Sequence, residues 1–401
     1  MKIRIVYFII PLVIGLAASL TGFSLIWRLF ILSLLLPLVS YLWTFFVLRN
    51  IKAESVPLPA QVKAGDTVTG SLTLINQGRI PRFMLQVEEI SSIPGYVNQT
   101  TVNLLPERQM QIKSQIYIPK RGKYQAGLYT VTAGDPLCLF QTRRTFGSSQ
   151  NLVAFPATLD LPFFDPLHYV SPGFRPGRNM ALQTGTNVAS IRDYVSGDSL
   201  RHIHWRSTAH SSKMMVKVYD PDRMQNSAKN IWVVCDMEAS VQSGSDVEST
   251  EEYTITIAAS LVKKFLEQGW PVGLISHAEK NYHFPLDTGI IHLDSIQAAL
   301  SEMNAGGSVP VEQILINEAS RFDLHALTFV ITPAWNDRLV RTLLQIKKQQ
   351  GVLVAILLDT GTFGVKRGLT SIPYTLQSNG VQVYVVKSGD NLNMALDSRK
   401  L

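Results

Sequence analysis

Several groups of residues in this 401-residue chain have types and spacings suited to chemistry. His202 and His204 stand two apart, so on a strand both rings would share a face and offer two imidazoles to a metal. On a helix the same spacing makes them diverge, and no third ligand accompanies them, which favours a structural role. Ser207 and Ser211 lie near His204 and His210, a pairing of nucleophile and base in type only, because no Gly-x-Ser-x-Gly elbow surrounds them. The run 361–368, GTFGVKRG, combines glycines with cations but lacks the Gly-Lys-Ser/Thr ending and opens no helix, so it reads as a surface loop. Arg175 and Arg178 are either an anion site or solvated linker charges. The best-placed polar group is Asp236-Met237-Glu238-Ala239-Ser240, directly after an apolar strand, where open α/β sheets hold their ligands.

That strand belongs to a region, residues 230–401, in which apolar runs alternate with amphipathic stretches. Strands are expected at 231–235, 272–276, 327–331, 352–358 and 381–386, and helices at 250–267, 293–303, 311–321 and 337–348. Such alternation predicts a mainly parallel sheet with helices on both faces. Residues 53–156 are different: short alternating strands at 67–75, 83–90, 110–118 and 127–133, with turns at Asn76-Gln77-Gly78 and Lys120-Arg121-Gly122. This spacing predicts a small antiparallel β-sandwich, immunoglobulin-like in architecture. Between the two lie a Pro/Gly/Ser-rich connector, 157–190, and the segment 191–229.

The first 52 residues contain two apolar runs, 5–20 and 23–48, separated by Thr21-Gly22. They predict a transmembrane helical hairpin. Lys2 and Arg4 precede it and Arg49 and Lys52 follow, which places both ends on the cytoplasmic side and the soluble domains in the cytosol. The alternative for 1–20 is a cleaved signal peptide, with 23–48 then stopping transfer. These 52 residues supply five positive charges and no acid, whereas the rest has 32 basic against 30 acidic residues and no long basic run, which argues against nucleic acid as a partner. Cys138 and Cys235 lie far apart in apolar contexts and read as core residues, not as a disulfide or a cysteine metal site.

Segment 191–229 opens IRDYVSGDSLRHIHWRSTAHSSKMMVKVYD. Ser196-Gly197 reads as a turn, Asp198 as a helix N-cap, 199–207 as short helical turns burying Leu200, Ile203 and Trp205, and 213–219 as a strand. Its pattern of Arg192, Tyr194, Gly197, Asp198, Arg201, Ile203, Trp205, Arg206 and Ala209 resembles the signature of the bacterial "domain of unknown function 58" family. KRGKYQ (120–125) and AGDPLCLF (133–140) are similar to segments of the same family. Asp198, Arg201, Trp205 and Arg206 are expected to form a packed, salt-bridged plug. The loop after 231–235 resembles a von Willebrand factor A motif, in which a D-x-S-x-S loop, a Thr and an Asp bind a divalent cation through oxygen. Carried over, the candidate metal ligands are Asp236, Glu238 (in place of the first Ser), Ser240 and Ser308, while Pro333 stands where the last Asp would be.

The family resemblance implies a membrane-tethered adaptor acting beside a MoxR-type AAA+ ATPase, and in some settings a transglutaminase-like membrane protein, with no catalytic residue of its own. Two further readings stay open. One is a metal-dependent enzyme with Mg2+ at the Asp236 loop; the other is a structural envelope component that binds other membrane proteins.

Overall fold

The computed structural model describes residues 2–3, 6–137, 139–166, 188–195, 198, 203–219, 230–322, 326–349, 352–364 and 371–400. The expectations for Cys138, Arg175, Arg178, Gly197, Leu200, Arg201 and His202 fall outside them. The chain forms two compact units, Met1–Pro156 and Ala157–Leu401.

In the first unit, strand β1 (Lys2–Ile3) precedes helices α1 (Val6–Thr21) and α2 (Ser24–Val47). Gly22, with φ +69°, makes the turn between the helices, a conformation that L side chains avoid. The helices approach closely at Gly15, where a Cβ would stand 2.6 Å from the Phe30 ring. Ser24–Val47 is long and apolar enough to cross a membrane, whereas the other helix is shorter than that test requires. Strands β2 (Ile51–Ser55), β3 (Gln61–Lys63), β4 (Thr67–Asn76), β5 (Arg82–Ile90), β6 (Asn98–Leu104), β7 (Gln109–Tyr117), β8 (Gly122–Gly134) and β9 (Phe140–Phe155) follow. They form two sheets, β1-β9-β8-β5-β6 with β3 beside β9, and β2-β4-β7. Leu72 and Leu74 of β4 pack against Leu85, Val87 and Val131 from the other sheet, the period-2 inward face that alternation creates. Asn76 is fully buried and ties the loops around it: its Nδ2 donates to the carbonyls of Ile80 (2.9 Å) and Leu105 (3.2 Å), and its Oδ1 accepts from Gly78 N (3.0 Å).

Because β1 pairs with β9 (Lys2 opposite Gln141) while α2 runs on into β2, both ends of the helical pair are tied to the β-structure. The last two turns of α2 dock on it through buried Ser40, Thr44 and Val47. Arg82, 4% exposed, donates to the carbonyl of Arg49 just past the helix end (3.2 Å), where a cation meets the negative pole of the helix.

In the second unit, β10 (Val188–Asp193), α3 (Trp205–Ser211) and β11 (Met215–Tyr219) form a separate antiparallel ribbon with its helix. The main body is β12 (Ile231–Cys235), the small ladder β13 (Gly244–Ser245) and β14 (Glu248–Ser249), α4 (Thr250–Glu267), β15 (Val272–His277), β16 (Asn281–Asp287), α5 (Ile290–Glu302), α6 (Val311–Asn317), β17 (Leu327–Thr332), α7 (Asp337–Gln349), β18 (Val352–Leu358), α8 (Ile372–Ser378), β19 (Gln382–Val386) and α9 (Leu392–Ala395). The sheet order is β16-β15-β12-β17-β18-β19, parallel except for the antiparallel edge strand β16. Its two faces bury separate cores. Ile231, Val233 and Cys235 point to the side covered by α4 and α5, whereas Trp232 and Val234 point to the side covered by α6, α7 and α8. Strands apolar on both faces are what a doubly covered sheet demands. Helix α4 starts on Ser249, whose hydroxyl accepts from Glu252 N (3.3 Å), with Glu251 and Glu252 in the first turn and Lys264 in the last.

Residues 157–166, read from the sequence as the start of a connector, are docked on this body. Phe164, 2% exposed, lies 5.7 Å from the Phe329 ring and 5.3 Å from Tyr384, and Lys264 Nζ donates to the carbonyls of Leu161 and Phe164. Burying one such phenylalanine stabilises the fold by about 2–3 kcal/mol.

Candidate functional site

From β12 the chain goes first to β15 on one side and later to β17 on the other. The carboxyl end of β12 is therefore the topological switch point, where neighbouring connections part and leave a crevice. Asp236 sits there, fully buried. Its N–H donates to the Ile331 carbonyl (3.0 Å), extending the sheet by one residue, and its carbonyl accepts from Gln242 Nε2 (2.9 Å). The carboxyl is engaged on both oxygens: Oδ1 accepts from Glu238 N (3.1 Å) and Oδ2 from the Thr332 hydroxyl (2.6 Å). Thr332 Oγ1 in turn accepts from Ala334 N (2.9 Å). Burial pushes the Asp236 carboxyl up to about 7 despite these two donors, and the negative charges of Glu238 and Glu312 add to the rise. Burial also raises the neighbouring Cys235 thiol, which is fully enclosed and inert.

The rest of the loop is held by its own backbone. Gly307 N donates to Met237 O and Ala239 N to Gly307 O, both 2.9 Å, so Glu238 and Gly307 form an isolated parallel bridge. No side chain fits at Gly307, since a Cβ would lie 2.0 Å from the His277 carbonyl and 2.9 Å from that of Met237. Ser240 donates its hydroxyl to the Glu238 carboxylate. Ser240 and Ser308 are exposed, and Glu312, in the first turn of α6, is 7% exposed.

The candidate ligands Asp236, Glu238, Ser240 and Ser308 thus belong to one loop region, where Asp236, Glu238 and Ser240 hydrogen-bond within the loop or to Thr332 and Ser308 is exposed. Both Asp236 oxygens already accept hydrogen bonds, a Glu238 oxygen accepts from Ser240, and Pro333 contributes no side-chain oxygen. Among the described residues no group of three His, Cys, Asp or Glu is disposed to hold a metal. A hard cation takes several oxygen ligands at once, and here the Asp236 and Glu238 oxygens also serve the loop's own hydrogen bonds. Glu312 and Thr332 are the site residues that sequence reading missed; the signal available was a polar Thr closing the apolar run 327–331.

In the ribbon, Arg192 forms a two-pronged pair with Asp198 (2.7 Å on each arm), and Asp198 also accepts from Val195 N (3.0 Å). Asp198 therefore locks the turn that follows β10, while the residues it was expected to cap, 199–202, lie outside the described ones. The cap of α3 is His204: its Nδ1 accepts from Ser207 N (3.2 Å) and contacts the Ser207 hydroxyl at 2.8 Å. This histidine–serine contact is accounted for by capping, and Ser211 is spent on the carbonyls of Ser207 and Lys213. Tyr194 N donates to Met214 O (2.8 Å), and Ile203, 4% exposed, bridges to Val216. Trp205 is not buried. It opens α3 at 68% exposure, beside exposed Arg206 and Ala209, so of the expected plug of Asp198, Arg201, Trp205 and Arg206 the tryptophan is not packed, while Arg201 lies outside the described residues. In the other expected loop, Gly361 N donates to Asp359 Oδ1 (3.1 Å) in a single 3-10 turn, Thr360–Phe363, while 365–368 lie outside the described residues.

Residues 190–360, which include the signature ribbon and the switch-point loop, match the family described as "Protein of unknown function DUF58". Over these residues the chain carries a DUF58 segment. A relative in Bacillus subtilis (strain 168), the uncharacterized protein YeaD, is 22% identical over 311 residues, covering 76% of this chain and 75% of its own. Solved structures with similarity include the human complex of zinc 2-glycoprotein with prolactin inducible protein (18% identity, 26% of this chain, 94% of that chain, TM-score 0.22). Another is the CARDB domain of a Pyrococcus furiosus protein (16% identity, 26% and 94%, TM-score 0.21). Within this matched region the ribbon presents exposed apolar side chains, and the Asp236 carboxyl accepts hydrogen bonds on both oxygens.

Proposed function

We propose that this protein is a membrane-anchored adaptor at the cytosolic face whose second unit engages a MoxR-type AAA+ ATPase, with a transglutaminase-like membrane protein as a further partner. The observation that carries the reading is the signature ribbon, where Trp205, Val195 and Met214 are 68%, 61% and 42% exposed. Exposed tryptophan is expensive to leave in water and is the residue most enriched among interface anchors. The parallel sheet with helices on both faces supports assignment of the second unit as von Willebrand factor A-like, and the internally bonded Asp236 loop favours a contact surface over a reaction centre. The apolar α2, joined to α1 by a tight turn and flanked by Lys2, Arg49 and Lys52, supports a membrane hairpin with both ends in the cytosol.

The test is capture of the purified ATPase by the full-length protein in detergent, with and without nucleotide. Retention in at least one state, lost in Trp205→Ala, is expected; no retention in either state refutes the adaptor reading. Capture of other envelope proteins alone would favour a structural role. The metal-dependent alternative has its own check, calorimetric titration with Mg2+ and Mn2+, in which stoichiometric binding abolished by Asp236→Ala would restore it.

A further inference from the structure

The tip between β8 and β9 reaches along α2 and leaves an apolar groove against it. The groove has a volume of about 310 Å³ and is lined by Leu32, Leu35, Leu36, Val39, Ser40, Trp43, Pro136 and Leu137. That is within the size of small-molecule sites, roughly 300–1,000 Å³. Its one hydroxyl is turned to other work: Ser40 donates to Asp135 Oδ2 (2.9 Å), which leaves the Trp43 indole N–H as the other polar side-chain group of the lining. A lining this largely apolar offers water few of the partners it needs, and an apolar occupant is what such a wall selects.

The tip is fixed before any ligand arrives. Asp135, 4% exposed, accepts from Ser40, from Leu137 N (3.0 Å) and from Phe140 N (2.6 Å), and Phe140 meets Tyr41 edge to face at 5.8 Å. Burial alone would raise the Asp135 carboxyl, but these donors outweigh it and hold the group below its ordinary value, as an anion. The groove is therefore a standing feature of the fold.

Its place along the helix names the occupant. From Leu32 to Trp43 the helix rises about 16 Å, close to half of the roughly 30 Å hydrocarbon thickness of a bilayer. The groove runs from the middle of α2 toward the β-structure, and its walls continue the exposed apolar surface of Leu32, Leu35 and Val39 (55%, 49% and 61%). We infer that this groove is a lipid site that takes one acyl chain of the leaflet next to the β-sandwich, with Leu137 as its lip. The inference rests on the membrane-hairpin reading above.

The experiment uses the full-length protein in phosphatidylcholine–phosphatidylglycerol vesicles carrying a photoactivatable diazirine in the acyl chain, with adducts mapped by mass spectrometry. Flotation with the vesicles and labelling at Leu25 (67% exposed on α2) report the anchor independently of the groove, and Val97 (82% exposed on the β-structure) reports background. Labelling at Leu137 comparable to that at Leu25 is expected. Val39→Trp, which fills the groove, is expected to lower the Leu137 adduct about ten-fold, and Leu137→Ser to lower labelling of Trp43, with Leu25 unchanged in both. Labelling of Leu25 with only background at Leu137 would overturn the site while keeping the anchor, and would mean that something other than lipid, such as a second helix, covers the groove. An adduct at Leu137 indifferent to Val39→Trp overturns it equally, and failure to float removes both the anchor and the site.

Discussion

Replacing Asp236 by Asn tests the electrostatics of the switch-point loop. Asp236 has no exposed surface, and enclosure holds its carboxyl at about 7 against an ordinary 3.8. A difference of that size corresponds to about 4 kcal/mol of preference for the protonated form in the folded state. The sign follows from proton counting. Between pH 4 and 7 the folded chain keeps a proton that the unfolded chain has released, so stability falls as pH rises through this window. Below it both states are protonated and above it both are ionised, so the curve is flat on either side. Asn cannot ionise and keeps an oxygen to accept from the Glu238 N–H, so Asp236→Asn should lose the slope. The assay is hydrogen exchange of the β12 amides in the full-length protein, read as opening free energy at pH steps from 4 to 8 in wild type and variant. The wild-type-minus-variant difference should decline by up to about 4 kcal/mol across the window. A flat or rising difference would refute the claim that this carboxyl is held neutral by burial.

Three further outcomes follow from the same structure. Gly307→Ala forces a methyl against the His277 carbonyl, and should lower the unfolding free energy by about 1–3 kcal/mol in urea titration while exposing Met237 to oxidation. Asn76→Ala strands the buried Leu104 carbonyl and removes the part-buried bonds to Ile80 and Leu105, and should cost about 1–3 kcal/mol, seen as a lower thermal midpoint of the first unit in calorimetry. Trp205→Ala should change stability by no more than about 0.5 kcal/mol, since the ring is largely in water, yet weaken ATPase capture about ten-fold or more.

The α/β alternation was legible because β12, β17 and β18 are apolar at nearly every position, a pattern that only a doubly covered strand produces. Strand β16 was not: its sequence, NYHFPLD, alternates with polar residues and contains Pro285, as an edge strand with one open side permits. Strands β2, β3, β6 and β9 were missed for a similar reason, since β9 is mostly exposed or half-buried from Gln141 to Asn151 and carries no apolar stripe there. In the ribbon, Asp198 pairs with Arg192, six residues earlier across a turn, and periodicity holds no trace of such a pairing. Trp205 was assigned to a core on hydrophobicity alone. Whether a large side chain faces inward depends on what stands opposite, and on the short α3 Trp205 is largely exposed.

The ladder between β1 and β9 fixes an order of events during synthesis. Lys2 and Ile3 can find Phe140 and Gln141 only after the ribosome has made β9, long after both helices have emerged. The helical pair must therefore settle while the sheet that will clasp its first end is still missing, and the clasp closes last. Once closed, withdrawing the helices would require tearing a strand from a finished sheet, so assembly is gradual going in and latched coming out.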